Sequence, residues 1–451
     1  MNGHRVRWTA EQVLALAPDD ASRKAGGELG GAGPWSQTGG SASGAVWGVC
    51  KGSGRTPYRT VVDLTGPAFS CSCPSRKFPC KHALGLLLLW AAEGLDGAAE
   101  APDWAAEWLS ARAAKAADAT SPAAAAAPAG PADAEAARKR AERRAARIGA
   151  GVAELEQRLA DLLRGGLAGQ EQTGYGGWEE TAARMVDAQA PGLASRVREL
   201  GTIPSSGAGW PGRMLEECAL LHLLDRAWLE VSGLPAPLAA TVRTRVGLTA
   251  AAEGAAAVRD RWLVLAQYDS VSADGRLTTR RIWLRGLRSG RTALVMDYGP
   301  PGRPPRLALP VGLVLDAEAR FRPGSAGLRA DLGERFAAPV PLPRPPAGVG
   351  AAAALDAYGA ALRQDPWLDS WPVVLGPVVP VPGELGWQLA DANGQDALPV
   401  RTAGGRPRAG LWQLAALSGG GPVTVFGECG HRGFTPLTAW DERTGEPVSL
   451  S

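Results

Sequence analysis

Apolar positions change period several times along the chain, and each change marks a different kind of element. Thr9 is a helix N-cap with Gln12 three residues on, as in a capping box, so residues 8 to about 30 predict one or two short helices. Residues 31–44 are rich in Gly and Ser and predict a loop. Alternation then sets in. Residues 45–50 and 58–64 predict a hairpin around a glycine-containing turn, and 68–73 a third extended piece. Pro79 precedes a helix expected over about 80–93. Its strongest apolar run, 83–92, is far shorter than the ~20 residues needed to span a bilayer.

The pattern then loses its apolar stripe. Residues 111–132 are nearly all Ala, Pro, Asp and Lys, and 103–134 as a whole predicts a disordered linker. A charged helix is expected from near Asp133, where Arg138, Lys139, Arg140, Arg143, Arg144 and Arg147 alternate with alanines and glutamates. Its block of like charge reads as a solvated face. Ile148, Val152, Leu155, Leu159 and Leu162 then recur at helical spacing, and further helices are expected over 178–200, 212–229 and 237–252. From Asp260 the period shortens to that of strands, at 261–268, 279–286 and 291–298. One more helix is expected over 351–363, followed by a mainly β end with 373–375, 387–389 and 423–426 as core pieces. The fold class that follows is α+β. Residues 1–102 hold a small ββα unit at about 45–92, 103–134 form the Ala/Pro-rich linker, 135–256 a helical region, and 257–451 a β-rich domain.

Composition narrows the picture only modestly. Hydrophobic residues make up 45% and charged residues 21% of the 451, which suits globular domains. A net charge of +3 does not by itself announce a nucleic-acid binder. Lysine is rare and Ala, Gly, Arg and Pro are abundant, a bias that lowers the weight of Ala-rich or Gly-rich runs. The amino terminus lacks the apolar core of a signal peptide, so a cytoplasmic location with reduced thiols is expected.

Chemistry concentrates in one stretch. Six cysteines and four histidines exist in the chain, and Cys71, Cys73, Cys80 and His82 fall within twelve residues. Three thiolates and an imidazole are the full ligand set of a closed tetrahedral zinc site, structural rather than catalytic. In an extended piece Cys71 and Cys73 point to the same side. Cys80, just before a helix, and His82, in its first turn, can face them. Clustered thiols in a reducing compartment point to metal rather than to a disulfide, and zinc is the default ion for this donor set.

Between Lys51 and His82 lie Lys51, Arg55, Arg59, Arg76, Lys77 and Lys81 against one acid, Asp63, a local net charge of +5. Such a patch can track a phosphate backbone, with Tyr58 and Phe78 as stacking surface. It can equally offset the negative charge of a three-thiolate zinc centre or meet a protein.

Other groups weigh less. Cys218 and His222 share a helix face, and Cys429 and His431 form a second C-x-H pair; a second metal site would need the two pairs to meet. Gly52-Ser53-Gly54-Arg55-Thr56 lacks the spacing of a phosphate loop. Glu179-Glu180 and Glu216-Glu217 are helix neighbours about 100° apart rather than catalytic dyads. No nucleophile arrangement suggests itself, and no enzymatic activity is expected.

The C-x-C, six residues, C-x-H pattern, with Gly52-Ser53-Gly54 and Pro57-Tyr58 before it and the segment Ser75 to His82 around it, resembles the SWIM-type zinc finger over about 45–92. The chain is similar to a bacterial branch of that family. The resemblance implies Zn²⁺ on Cys71, Cys73, Cys80 and His82, and a role in binding DNA or proteins. Bacterial relatives are often linked with MoxR-type AAA+ ATPases and von Willebrand A-domain proteins. A non-enzymatic interaction protein is therefore expected, its finger contacting nucleic acid or protein. The alternative is a scaffold for a MoxR-type ATPase system without nucleic-acid binding. No membrane partner is expected.

Overall fold

A computed structural model describes the chain apart from residues 1–6, 42–43, 53–55, 66–67, 76, 96–98, 121–130, 170–175, 249–255, 273–274, 276, 301–304, 306, 343, 385, 402–408 and 451. It is a mixed α+β protein. Strands and the thiol cluster lie at the amino end, helices in the middle and β-sheets at the carboxyl end.

The amino-terminal unit opens with α1 (Ala10–Leu14) and α2 (Asp20–Gly27). Thr9 and Gln12 form the expected capping box, each side chain accepting from the other's backbone N–H. Four antiparallel strands follow in chain order: β1 (Trp35–Gly40), β2 (Ala45–Cys50), β3 (Tyr58–Asp63) and β4 (Ala68–Cys71). The Gly/Ser-rich run expected as a loop thus supplies β1, which pairs with β2. Trp35 explains the difference: it is a large apolar anchor, 9% exposed, whose indole N–H donates to Leu29 O at 2.8 Å.

The sheet uses both faces. On one face Val46, Cys50 and Val62 share a core with Leu84, Leu86 and Leu87 of α3 (Lys81–Ala91). On the other, Ala45, Trp47 and Val61 meet Ala105, Trp104 and Trp108 of α4 (Asp103–Thr120). The expected linker 103–134 is corrected over its first half by α4. Alanine is the best helix former, and two tryptophans give that helix a face to bury. Residues 121–130 lie outside the described part, and the next helix, α5 (Pro131–Gly165), has begun before the linker was expected to end.

The helical region packs α5, α6 (Gly176–Asp187), α7 (Pro191–Leu200), α8 (Trp210–Leu229) and α9 (Ala236–Val246) around one core. Ile148, Val152, Leu155 and Leu159, the stripe legible in the sequence, face Met185, Leu193, Val197, Met214, Leu221 and Leu224. The single helix expected over 178–200 is two. Pro191 disfavours helical backbone at the residue before it, and Gln189 takes a left-handed φ of 62°.

The carboxyl-terminal half holds two antiparallel six-stranded sheets. The first has β5 (Ala257–Val271), β6 (Thr278–Gly286), β7 (Thr292–Gly299), β8 (Leu313–Phe321), β9 (Ala330–Arg335) and β10 (Val340–Pro341), in the order β10-β8-β5-β6-β7 with β9 also on β8. The second has β11 (Trp371–Gly383), β12 (Gly386–Asp391), β13 (Ala397–Pro399), β14 (Val423–Gly430), β15 (Gly433–Trp440) and β16 (Pro447–Ser449), in the order β13-β12-β11-β14-β15-β16. Helices α10 (Ala351–Leu362) and α11 (Ala409–Ser418) accompany it. The sheets share a core in which Leu263, Leu265 and Trp283 of the first meet Val374, Phe426 and Trp440 of the second. Glu428 lies at this junction and accepts from Tyr268 Oη at 2.8 Å and Trp283 Nε1 at 3.0 Å.

The segment before β11 ties this half to the helices. Trp367 sits in the helical core and donates its indole N–H to Leu220 O at 2.9 Å. Two residues earlier, buried Asp365 pairs with Arg245 of α9 at 2.7 Å. Among the described residues, no helix is long and apolar enough to cross a membrane.

Candidate metal centre

Three local features bring four ligands together. β4 ends at Cys71, which sits opposite Thr60 of β3 in the sheet register. The chain bends at Ser72 and Cys73, so Cys73 lies just beyond the strand rather than within it. Cys80 is the N-cap residue of α3, in extended backbone, and His82 lies in that helix's first turn, as expected. One ligand atom from each of Cys71, Cys73, Cys80 and His82 lies within 4.8 Å of all the others. Among the described residues this is the sole such set of three or more.

The donor set fits zinc. Soft thiolates and an imidazole select a tetrahedral ion, and four protein ligands leave no position open for water. Cys80 and His82 are buried, at 1% and 4% exposure, while Cys71 and Cys73 are half-buried. His82 presents Nδ1 to the cluster, 3.7 Å from Cys71 Sγ.

Without the ion's charge the three thiols are unequal. Cys71 is drawn down to about 4, first by the hydrogen bond from Cys80 and, against burial, also by His82 and Thr60. Thr60, itself fully buried, places its hydroxyl 3.2 Å from Cys71 Sγ. Cys80 is pushed up by its hydrogen bond to Cys71 and by burial, and Cys73 is pushed up chiefly by burial. Zinc would take all three as thiolates.

Tyr58 and Phe78, expected together as stacking surface, have different roles. The Tyr58 ring lies 4.7 Å from His82, tilted by 35°, and backs the ligand. Phe78 remains 46% exposed.

The basic residues that the structure describes do not all share one face. Arg55 and Arg76 lie outside the described residues, as do Ser53 and Gly54 of the rejected phosphate loop. Arg59 is exposed and alternates with Tyr58 and Thr60, so it points to the face of the sheet away from the thiols. Lys77 is paired with Asp19 at 2.7 Å, and Asp19 also caps α2 through Ser22 N. Asp63, counted as the one local acid, is held by Arg112 of α4 at 2.7 Å. Lys51 and Lys81 are exposed and have no ion pair among the described residues.

Sequence reasoning missed Asp19, Arg112 and Thr60. The first two lie 58 and 49 residues from their partners, beyond any local window. Thr60 stands eleven residues before Cys71, and only the strand register brings it to the sulfur.

The second candidate site does not assemble. Cys218 is buried in the helical core and Cys429 in the core of the last sheet. His222 is bonded to Glu156 at 2.7 Å and His431 to Glu216 at 2.9 Å.

Comparison with known families agrees with this geometry. Residues 61–91 match the family model of the SWIM zinc finger, and residues 143–246 match that of the SWIM-associated four-helix bundle domain. The first match spans Cys71 to His82, and the second runs from α5 to the end of α9. No curated protein and no solved structure gives a significant match to the chain.

Proposed function

From a chain that carries a SWIM-type zinc finger followed by its associated helical bundle, we propose a non-enzymatic interaction protein whose zinc-stabilised finger docks a macromolecular partner. The observation that carries this reading is the closed four-ligand cluster, which suits a structural ion. Zinc would fix β4 and the start of α3, and with them the loop that carries exposed Phe78 and the exposed Lys81.

A protein partner fits that surface best. Lys77 is neutralised by Asp19 and Arg59 turns to the opposite face, so among the described residues fewer positive charges face a partner than the sequence count suggests. An exposed aromatic ring and two exposed lysines in the same finger suit a contact with an acidic, partly apolar protein surface. Scaffolding of a MoxR-type AAA+ ATPase, or of a von Willebrand A-domain protein beside it, is the specific form proposed. Nucleic acid is the second reading, favoured by Lys51 and Lys81, which have no ion pair among the described residues, and by the further cations Arg55 and Arg76 in the sequence. Three reduced thiols suit a cytoplasmic setting.

Affinity capture with the intact protein, beside the Cys80→Ser/His82→Ala double variant, tests this reading. A co-purifying protein lost with the variant supports it. Captured DNA or RNA that is released steeply with salt, and weakened by Lys77→Ala/Lys81→Ala, moves the role to nucleic acid. Turnover that survives both variants would place an enzyme in the rest of the chain.

A further inference from the structure

Asp225 of α8 is fully buried in the helical bundle, and neither of its carboxylate oxygens has a hydrogen-bond donor. A bare carboxylate in such a place is untenable, because an unpaired buried charge costs several kcal/mol. Its polar neighbour is another acid, Glu156 of α5. Two carboxylates side by side in an apolar setting cannot both stay ionised. We propose that Asp225 is protonated in the folded protein and donates that proton to Glu156, making the pair a pH-sensitive latch between α5 and α8.

The surroundings favour a shared proton. Glu156 already meets His222, with Nδ1 at 2.7 and 2.9 Å from its two oxygens, so its charge has a partner that Asp225 lacks. His222 stands one helical turn before Asp225 and is exposed, whereas Asp225 is not. A cation would be the other way to reconcile the two acids. Glu156, His222 and Asp225 do not bring three ligand atoms together as the thiol cluster does.

Charged groups elsewhere on the packed helices are engaged away from the pair. On α7, Arg196 and Glu199 feel each other, Glu217 and Asp369. On α9, Arg245 is bound to Asp365. On α8 itself, Arg226 pairs with Glu230. Burial first, and then Glu156, push Asp225 up to about 9.

The direction of the pH effect follows from linkage. The folded chain keeps a proton that the unfolded chain releases above its ordinary carboxyl range, near pH 4. Unfolding therefore releases a proton, and the latch weakens as pH rises toward the folded value.

Hydrogen exchange read peptide by peptide on the intact protein tests the latch, because it separates α5 and α8 from the zinc finger. After correction for intrinsic exchange, the opening constant of α5 and α8 should rise about tenfold per pH unit between pH 6 and 8. Asp225→Asn, isosteric and uncharged, should leave it nearly flat. A wild-type profile that is flat, or an Asp225→Asn profile as steep as wild type, would overturn the proposal. Should that variant not fold, infrared spectroscopy of wild-type protein with ¹³C-labelled aspartate decides. A protonated-acid carbonyl band at pH 7 that fades on alkalinisation supports the latch, and its absence overturns it. Protection of α5 and α8 at high pH that requires added MnCl₂ or ZnCl₂ would overturn it in favour of a cation.

Discussion

Thr60 and Cys71 face each other across β3 and β4, with the Thr60 hydroxyl 3.2 Å from the Cys71 sulfur. The hydroxyl is fully buried, so it has no water to turn to. A donor on the thiolate both orients it and spreads its charge, which matters where three thiolates share one dication. Thr60→Val keeps the side chain's shape and β-branching and removes only that donor. Zinc affinity should fall by about tenfold, with the strand pairing retained. Competition with a chromophoric chelator reads the affinity, and far-UV circular dichroism the fold.

Metal removal should unfold the finger and spare the rest. The unit's ligands come from a strand end, a bend and a helix N-terminus, and one ion would tie all three together. Cys80, the N-cap of α3, meets the backbone N–H of Ala83 only weakly through its sulfur, so metal ligation would add an anchor to the helix start. Chelation should raise exchange across residues 61–91 while leaving the bundle core around Leu155 and Leu221 protected. Acid should do the same. Metal binding requires the thiolates of Cys73 and Cys80, both pushed up here, so each ion bound displaces protons and affinity falls as pH falls. A pH titration of zinc release, followed by the same chelator, checks the sign.

The site was legible because its information is local. Twelve consecutive residues carry all four ligands, and the helix after Pro79 was visible as an apolar run. The stripe from Ile148 to Leu159 was equally plain, since period alone specifies a buried helix face. What escaped depended on distant chain. β1 has the glycines of a loop, and only the partner strand and the indole of Trp35 make it a strand. Helix α4 reads as linker until Trp104 and Trp108 are given the Trp47 face to cover. The setting of the basic residues was hidden for a similar reason. Counting charges along the chain cannot tell that Lys77 meets Asp19 or that Arg59 turns away.

Arg245 and Asp365 should behave as a buried pair that punishes the loss of one member. Asp365 is fully buried and accepts from both Nε and Nη2 of Arg245, while Trp367, two residues on, fills the helical core. Arg245→Ala leaves a carboxylate in that core and should cost about 3 kcal/mol of stability, near the lower end for broken buried pairs. Arg245→Ala combined with Asp365→Ala should recover part of the loss, because the orphaned charge goes too. Urea denaturation of Arg245→Ala, Asp365→Ala, the double variant and wild type closes the cycle. Equal loss in the single and double variants would mean that the carboxylate is not the source of the cost.

Gly48 should set how closely α3 approaches the sheet. It lies in β2 on the face that meets α3, opposite Thr60. A Cβ there would stand 3.0 Å from Trp35, 3.1 Å from Leu86 and 3.1 Å from Thr38. Trp35 and Leu86 belong to the same core, so neither has open space to retreat into. Leu86 is one turn beyond His82 on the helix, and a push on it is passed to the imidazole that faces Cys71. Gly48→Ala should therefore cost about 1–3 kcal/mol, as overpacked cores do, and weaken zinc binding as well. Gly27, at the end of α2, supplies the control. A Cβ there meets nothing within 4 Å, so Gly27→Ala should leave zinc affinity unchanged and leave stability equal or slightly raised. Thermal unfolding and chelator competition on both variants separate the two cases. If Gly48→Ala binds zinc as wild type does while losing stability, the spacing of helix and sheet does not govern the metal site.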